Sequence, residues 1–321
     1  MQTILGSGGI IGTLLAQELR TYTNKIRLVS RAPKAINPKD EIFTANLLNL
    51  EEVQQALEGS KIAYLTVGLP YKTKIWQAFW PKIMSNVIQA CTEQNVKLVF
   101  FDNVYMYDPN YLGHMTETTP IRPVSKKGII RAKVADMVLE AISKGDLQAL
   151  IARSADFYGP NTPLKSILTE MVFKPLSKSK NAKWFGNSHS PHSFTYTPDA
   201  GKATALLGNT ADAFNQVWHL PTAANPPCGK EWIHMIAKEM GVQPGYHVIP
   251  KWVFNISELF VPFMKELNEM IYQYEKPYQF DSSKFEKQFF FKPTSYLEGI
   301  RRIIKTEYPQ MAKHKDDLLF D

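Results

Sequence analysis

MQTILGSGGIIG, residues 1–12, is the stretch that decides the fold. Thr3, Ile4 and Leu5 form a short apolar strand. Gly6, Gly8, Gly9 and Gly12 follow it, and Thr13 to Arg20 then run at helical spacing, with Leu14, Leu15 and Leu19 as the apolar face. Strand, glycine turn, helix is the context that a dinucleotide pyrophosphate needs. Gly6 permits a tight turn, and Gly8 and Gly9, lacking a Cβ, let a phosphate approach the backbone. A helix starting at Ile10 turns the free N–H groups of Ile10 and Ile11, with the positive end of its dipole, toward that phosphate. Gly12 lets the helix pack close to the strand.

The rest of the chain repeats this alternation. Strands are expected at Lys25–Ser30, Ile42–Ala45, Lys61–Val67, Lys97–Phe101 and Leu147–Ala152, with helices at Glu51–Leu57, Lys74–Gln94 and Ser125–Ser143. In the second of these helices Trp76, Phe79, Ile83, Val87 and Cys91 are read as one apolar stripe, and Pro81 as a bend. Alternation at this spacing predicts a doubly wound parallel sheet. The end of the second strand meets the adenosine ribose in such a fold. An acidic residue there suits the 2′-hydroxyl of NAD, an arginine the 2′-phosphate of NADP. This chain offers Ser30 and Arg31, with Lys34 close behind and no carboxylate, so NADP is expected over NAD.

With 321 residues, 44% hydrophobic and 21% charged, the chain has the balance of a soluble protein of enzyme size. Two cysteines make neither a disulfide framework nor a metal cluster. Reduced cysteines imply a cytoplasmic location, and a first strand at Thr3 leaves no room for a signal peptide. No apolar run reaches the length of about 18 residues needed to span a membrane. The net charge of +7 is spread along the chain without an arginine-rich arm. It suits a polar or anionic small molecule, and no motif points to nucleic acid. His189 and His192 lie in the Gly/Ser/Pro-rich loop Gly186–Ser193, which reads as a substrate-facing loop, with no metal expected. Trp252, Ile256, Leu259, Phe263, Leu267 and Ile271 read as a buried helical stripe.

Several segments together resemble the extended short-chain dehydrogenase/reductase family, which includes the NAD-dependent epimerases and dehydratases of nucleotide sugars. They are Gly6-x-x-Gly9-x-x-Gly12, Val67-Gly68-Leu69 after the fourth strand, and Met106-Tyr107 after the fifth. Arg153-Ser-Ala-Asp156-Phe-Tyr158-Gly159-Pro160 and Phe194-Thr195-Tyr196-x-x-Asp199 complete the set. The resemblance covers about residues 1 to 220. It implies a Rossmann domain over 1–160, with 194–225 returning to it. A smaller substrate-binding cap would come from 161–193 and 226–321, with the active site between the two. It also implies cofactor contacts at Asn46, Val67, Gly68 and Asp156, and a homodimer through the helices after the fourth and fifth strands. Asp281–Phe291 with Pro293-Thr294 resembles the family's segment before a last helix, Tyr296–Tyr308.

The catalytic positions depart from the family pattern. The family places a Ser or Thr just after the fifth strand and a Tyr-x-x-x-Lys pair on the next long helix. Here Asn103 takes the serine position, Lys127 the tyrosine position and Arg131 the lysine position. Residues i and i+4 share a helix face, so Lys127 and Arg131 can face the cofactor together. Arg131 would contact the nicotinamide ribose and, by its charge, lower the Lys127 pKa. Lys127 would then move the proton, with Asn103 orienting the substrate oxygen and Tyr105 as a further proton donor. Tyr107 and Tyr158 are weaker candidates for that role. Two functions follow: an NAD(P)-dependent oxidoreductase or epimerase acting on a small hydroxyl or carbonyl substrate such as a nucleotide sugar, or an NADP-binding sensor or scaffold without turnover.

Overall fold

The protein is described by a computed structural model covering residues 1–162, 166–258 and 261–311. Two compact units are present: Met1–Tyr107 with Ile121–Ser154 and Ala200–Leu220, and Asp108–Pro120 with Ala155–Asp199 and residues from Pro221 onward. Unit 2 takes nearly as much of the chain as unit 1.

Unit 1 is built on a seven-stranded sheet. Its strands are β1 (Gln2–Leu5), β2 (Ile26–Ser30), β3 (Glu41–Thr44), β4 (Ile62–Leu65), β5 (Lys97–Asp102), β6 (Ala149–Arg153) and a last strand, Val217–His219. Their spatial order is the last strand, then β6, β5, β4, β1, β2 and β3, and every pair is parallel. β1 and β6 are buried at every position, and β2 at all but its last, because helices cover both faces of such a sheet. The order reverses between β1 and β4, which makes the carboxyl ends of those strands the place for a ligand.

The strands are connected by α1 (Ile10–Leu19), α2 (Leu50–Leu57), α3 (Thr73–Glu93) and α4 (Lys126–Ser143), and a further helix, Thr197–Gly208, precedes the last strand. Asn49 caps α2 by accepting from the Glu51 N–H, and Ser125 caps α4 by accepting from Gly128 N–H at 3.0 Å. The buried face of α3 is Trp76, Trp80, Ile83, Met84, Val87, Ala90 and Cys91. Phe79, expected inside, is 38% exposed, and Trp80 takes its place. Steps of four and three residues from Trp76 reach Trp80 and Ile83, so Phe79 falls off the stripe.

Unit 2 has its own core of Tyr158, Phe173, Trp184, Phe194, Trp232, Ile236, Phe254 and Ile300, among others. Its short strands pair as Asp156–Tyr158 with Phe194–Tyr196, and Ala182–Phe185 with Tyr246–Ile249. The stripe expected from Trp252 is interrupted. Trp252 and Ile256 are exposed, whereas Phe254 is buried. The helix Lys251–Ser257 is only two turns long and anchors itself through Phe254, whose ring meets Phe185 at 5.1 Å. Leu259 and the Phe263 side chain lie outside what the structure describes.

Candidate functional site

A parallel sheet brings the carboxyl ends of all its strands to one edge. The turns after β1, β2, β3, β4 and β5 carry the residues singled out from sequence in unit 1. The first turn runs from Leu5 through Gly6 into α1. Gly6 has φ +104°, and a side chain there would run into the Val67 backbone. A Cβ on Gly12 would stand 2.8 Å from Gly6 O and from Ser7 Cα. Both glycines are therefore required by packing. Gly8 and Gly9 differ: a Cβ on Gly8 meets nothing within 4 Å, and one on Gly9 meets only Gly6 O, at 3.7 Å.

Both are exposed, and Gly9, in extended backbone at φ −92°, is the N-cap of α1 with no side chain capping that helix. Nothing in the protein requires glycine at these two positions. An open cradle in front of the α1 amides, which a side chain would fill, fits a pyrophosphate. Ile10 and Ile11 start that helix, Ile11 buried and Ile10 half-buried.

Ser30 ends β2, and its hydroxyl accepts from Ala32 N–H at 3.2 Å. Arg31 and Lys34 follow it, both exposed. The carboxylates nearest in sequence are occupied. Asp40 accepts from Ile36 and Asn37 N–H at 3.0 and 2.6 Å, and Glu41 accepts from Arg27 at 2.7 Å. Asn46, exposed after β3, accepts from Leu48 N–H at 3.2 Å. After β4, Val67 is half-buried against Gly6, and Gly68 is exposed with nothing within 4 Å of a Cβ.

The turn after β5 and the start of α4 come together. A Cβ on Gly128 would collide with the Tyr105 carbonyl, so this glycine allows α4 to lie against that turn. Asn103 is half-buried and accepts from Tyr105 N–H at 3.1 Å. Tyr105 stacks on Trp76 with its ring plane 12° away. Lys127 is fully buried, its Nζ 3.1 Å from Thr73 Oγ1 and 4.4 Å above the Tyr71 ring.

Arg131, read from sequence as a ribose contact and a charge beside Lys127, is buried beside Asp102 at the end of β5. Its Nε donates to Asp102 Oδ1 at 2.8 Å and its NH2 to the same oxygen. The guanidinium is sandwiched, 4.2 Å from the Trp80 ring and 4.9 Å from that of Phe100. The reason is charge: a guanidinium does not give up its proton, so burying it requires a carboxylate.

Asp102 also faces Arg153, whose Nε lies 3.8 Å from Oδ2. Arg153 donates to the Tyr107 hydroxyl at 3.0 Å, and that hydroxyl lies 2.7 Å from His219 Nε2. Tyr107 is thereby fixed inside the sheet edge. Burial pushes the Tyr158 phenol well above its ordinary value, in the core of unit 2. The Tyr158 phenol therefore stays protonated near neutral pH.

Asp156, read from sequence among the cofactor contacts, lies in unit 2 at the start of the strand Asp156–Tyr158. Its Oδ2 accepts from the Tyr274 hydroxyl at 2.7 Å and lies 3.0 Å from His192 Nε2. A carboxylate is also a repulsive neighbour for a pyrophosphate. His192, expected on a substrate-facing loop, is buried in a three-layer stack between Tyr274 and Tyr278, with centroids 4.4 and 4.3 Å away. His189 is exposed. Sequence reading missed Asp102, Trp80, Thr73, Tyr71 and Tyr274. Only Asp102 had a signal, a charged residue closing the apolar run Leu98–Phe101.

Comparison with known proteins agrees with this architecture. No helix among the described residues is long and apolar enough to cross a membrane. A search of curated proteins finds no match. Among solved structures, the chain is similar to the UDP-glucose 4-epimerase of Thermus thermophilus in complex with NAD, with 15% identity and a TM-score of 0.74. That match covers 95% of this chain and 98% of the other. It is similar also to the UDP-glucose 4-epimerase of Thermotoga maritima with UDP-glucose, with 14% identity, a TM-score of 0.76 and coverage of 97% and 100%. A monomeric L-threonine 3-dehydrogenase from a metagenome shows 15% identity, a TM-score of 0.75 and coverage of 99% of each chain. At these identities the likeness establishes a shared fold. The model of the NAD dependent epimerase/dehydratase family matches residues 3–219, and the chain belongs to that family.

Proposed function

We propose that the protein is an NADP(H)-dependent enzyme of the epimerase/dehydratase type, acting on a small polar molecule with a hydroxyl or carbonyl group. Unit 1 would bind the cofactor and unit 2 would recognise the substrate. The observation that carries this reading is the Gly8–Gly9 cradle: two glycines that the protein itself does not require, in front of an uncapped helix. Solved neighbours with the same fold include an epimerase in complex with NAD and MoeE5 in complex with UDP-glucose and NAD, which supports a nicotinamide cofactor and a sugar-like substrate. A bound nicotinamide supplies reversible hydride transfer. Asn103 would orient the substrate oxygen, and Lys127 Nζ would hold or move its proton, with Thr73 Oγ1 as its neighbour. The same reading includes a homodimer through α3 and α4, where Phe79 and Ile129 are exposed.

Two measurements test it. Gly9→Val is expected to fold, since its Cβ meets no obstacle, and to lose NADP(H) binding in calorimetry. An unchanged affinity would rule out this cradle. Arg31→Ala is expected to weaken NADP(H) by about tenfold or more while leaving NAD(H) nearly unchanged, because a charge-assisted contact to the 2′-phosphate is removed. Equal affinity of the wild type for both cofactors would refute the preference. Consumption of NADPH with a panel of aldehydes, ketones and nucleotide sugars then tests turnover. A second reading, cofactor binding without turnover, is favoured by one observation: Lys127 is fully buried against Tyr71 and Thr73.

A further inference from the structure

Asp156, His192, Tyr274 and Tyr278 form a polar cluster in unit 2 that the cofactor reading does not use. Backbone pairing assembles it. The strand Asp156–Tyr158 lies parallel to Phe194–Tyr196, with Asp156 opposite Phe194, and His192 stands two residues before that partner. Tyr278 is zipped to the same segment: its N–H donates to Pro191 O at 2.9 Å, and Ser193 N–H donates back to Tyr278 O at 2.8 Å. Trp232 Nε1 donates to His192 O at 3.1 Å, and Asn187 N–H holds Tyr274 O at 2.8 Å.

The imidazole is thus held between two phenol rings with interplanar angles of 15° and 10°. Rings stacked on both faces cannot rotate, so Nε2 keeps its aim at Asp156. The Tyr274 hydroxyl aims at the same oxygen. His192 is 2% exposed, whereas the Asp156 side chain is 19% exposed. One carboxylate oxygen is therefore fixed by two buried groups, and the group as a whole can still be reached from outside. A carboxylate has about four lone-pair sites, so two partners on one oxygen leave it able to accept further hydrogen bonds.

We propose that Asp156 is a ligand-selecting carboxylate, positioned by His192 and Tyr274, which takes a hydrogen-bond-donating ammonium or hydroxyl group of a polyol and excludes an anionic one. This rests on the reading that the protein binds a small polar molecule, and it names the charge class of that molecule. An ammonium is the best fit, since a charge-assisted hydrogen bond to a carboxylate is about twice as strong as a neutral one. A carboxylate or phosphate at the same place meets like charge in a partly desolvated setting.

Glucosamine, glucose and glucuronate, which differ in charge at similar size, are the probes. Their binding to the full chain in the presence of NADP would be measured by ligand-observed NMR. The wild type is expected to bind glucosamine about tenfold or more tightly than glucuronate, with glucose between them. Asp156→Asn keeps the shape and removes the charge, and should bring that ratio close to one. Tyr274→Phe removes only the hydroxyl and should reduce the ratio by about threefold, a change of selectivity that a loss of folding alone would not produce. Equal binding of glucosamine and glucuronate by the wild type, an unchanged ratio in Asp156→Asn, or no binding of any probe would overturn the proposal. NADP(H) affinity measured on the same samples separates the two ideas: its absence refutes the cofactor reading, while the sugar ratio still decides this one.

Discussion

Asp102→Ala is expected to lower the stability of unit 1 by about 3–5 kcal/mol, the usual effect of removing one partner from a buried ion pair. The substitution leaves Arg131 without the carboxylate that accepts from its Nε and NH2, and it removes the charge facing Arg153. Both guanidinium groups are buried, and neither sheds its charge by deprotonation. The loss corresponds to a fall in melting temperature of roughly 6–20 °C for a domain of this size. Combining Asp102→Ala with Arg131→Met should recover part of it, because the unpaired cation is removed along with its partner. Thermal unfolding followed by circular dichroism measures all three proteins. An Asp102→Ala protein within about 1 kcal/mol of the wild type would show that water, not Asp102, balances these arginines. Arg131→Ala is then expected to act first on stability, and on cofactor affinity only through the altered turn after β5.

The second large effect concerns turnover. Lys127→Met is expected to fall by about 10² or more in rate while keeping NADP(H) affinity, because proton transfer by a positioned side chain is lost and little else changes. Lys127 is fully buried among the Tyr71 ring and the Thr73 hydroxyl, so an apolar chain of similar length fits the space. Lys127→Tyr need not restore the family's mechanism. The family's tyrosine works beside a lysine, and here the following position holds an arginine committed to Asp102. Single-turnover kinetics with NADPH and the best substrate of the panel separates chemistry from binding. A Lys127→Met protein that turns over at the wild-type rate would move the proton to another group and end this assignment.

Much of unit 1 was legible in the sequence because its signals are local. β1 and β2 are short apolar runs, the glycine turn joins a strand to a helix directly, and the family segments sit next to strand ends. Asp102 with Arg131 was not legible, since nothing in a sequence says which buried charge will meet which. Taken as two helix-face residues, Lys127 and Arg131 looked alike. In the fold one meets Thr73 and Tyr71, and the other a carboxylate between two aromatic rings. The choice of Trp80 over Phe79 follows from the same pair, because Trp80 covers the guanidinium. The His192 stack was hidden for a different reason. Tyr274 and Tyr278 come from a distant segment of irregular structure, which carries no periodicity to read. The excursion Asp108–Pro120 into unit 2 left no compositional mark either.

The place of the last strand, Val217–His219, bears on how the chain is made. It closes the edge of the sheet beyond β6, yet it leaves the ribosome only after the segment Ala155–Asp199, which belongs to the other unit. At roughly 5–20 residues per second, several seconds of synthesis separate the two strands. Through that interval β6 offers an open edge, and the Tyr107 hydroxyl lacks its hydrogen-bond partner, His219 Nε2. The nascent chain therefore carries an unfinished sheet for as long as Ala155–Asp199 is being threaded out, and this is the stage at which chaperones would have the most to hold.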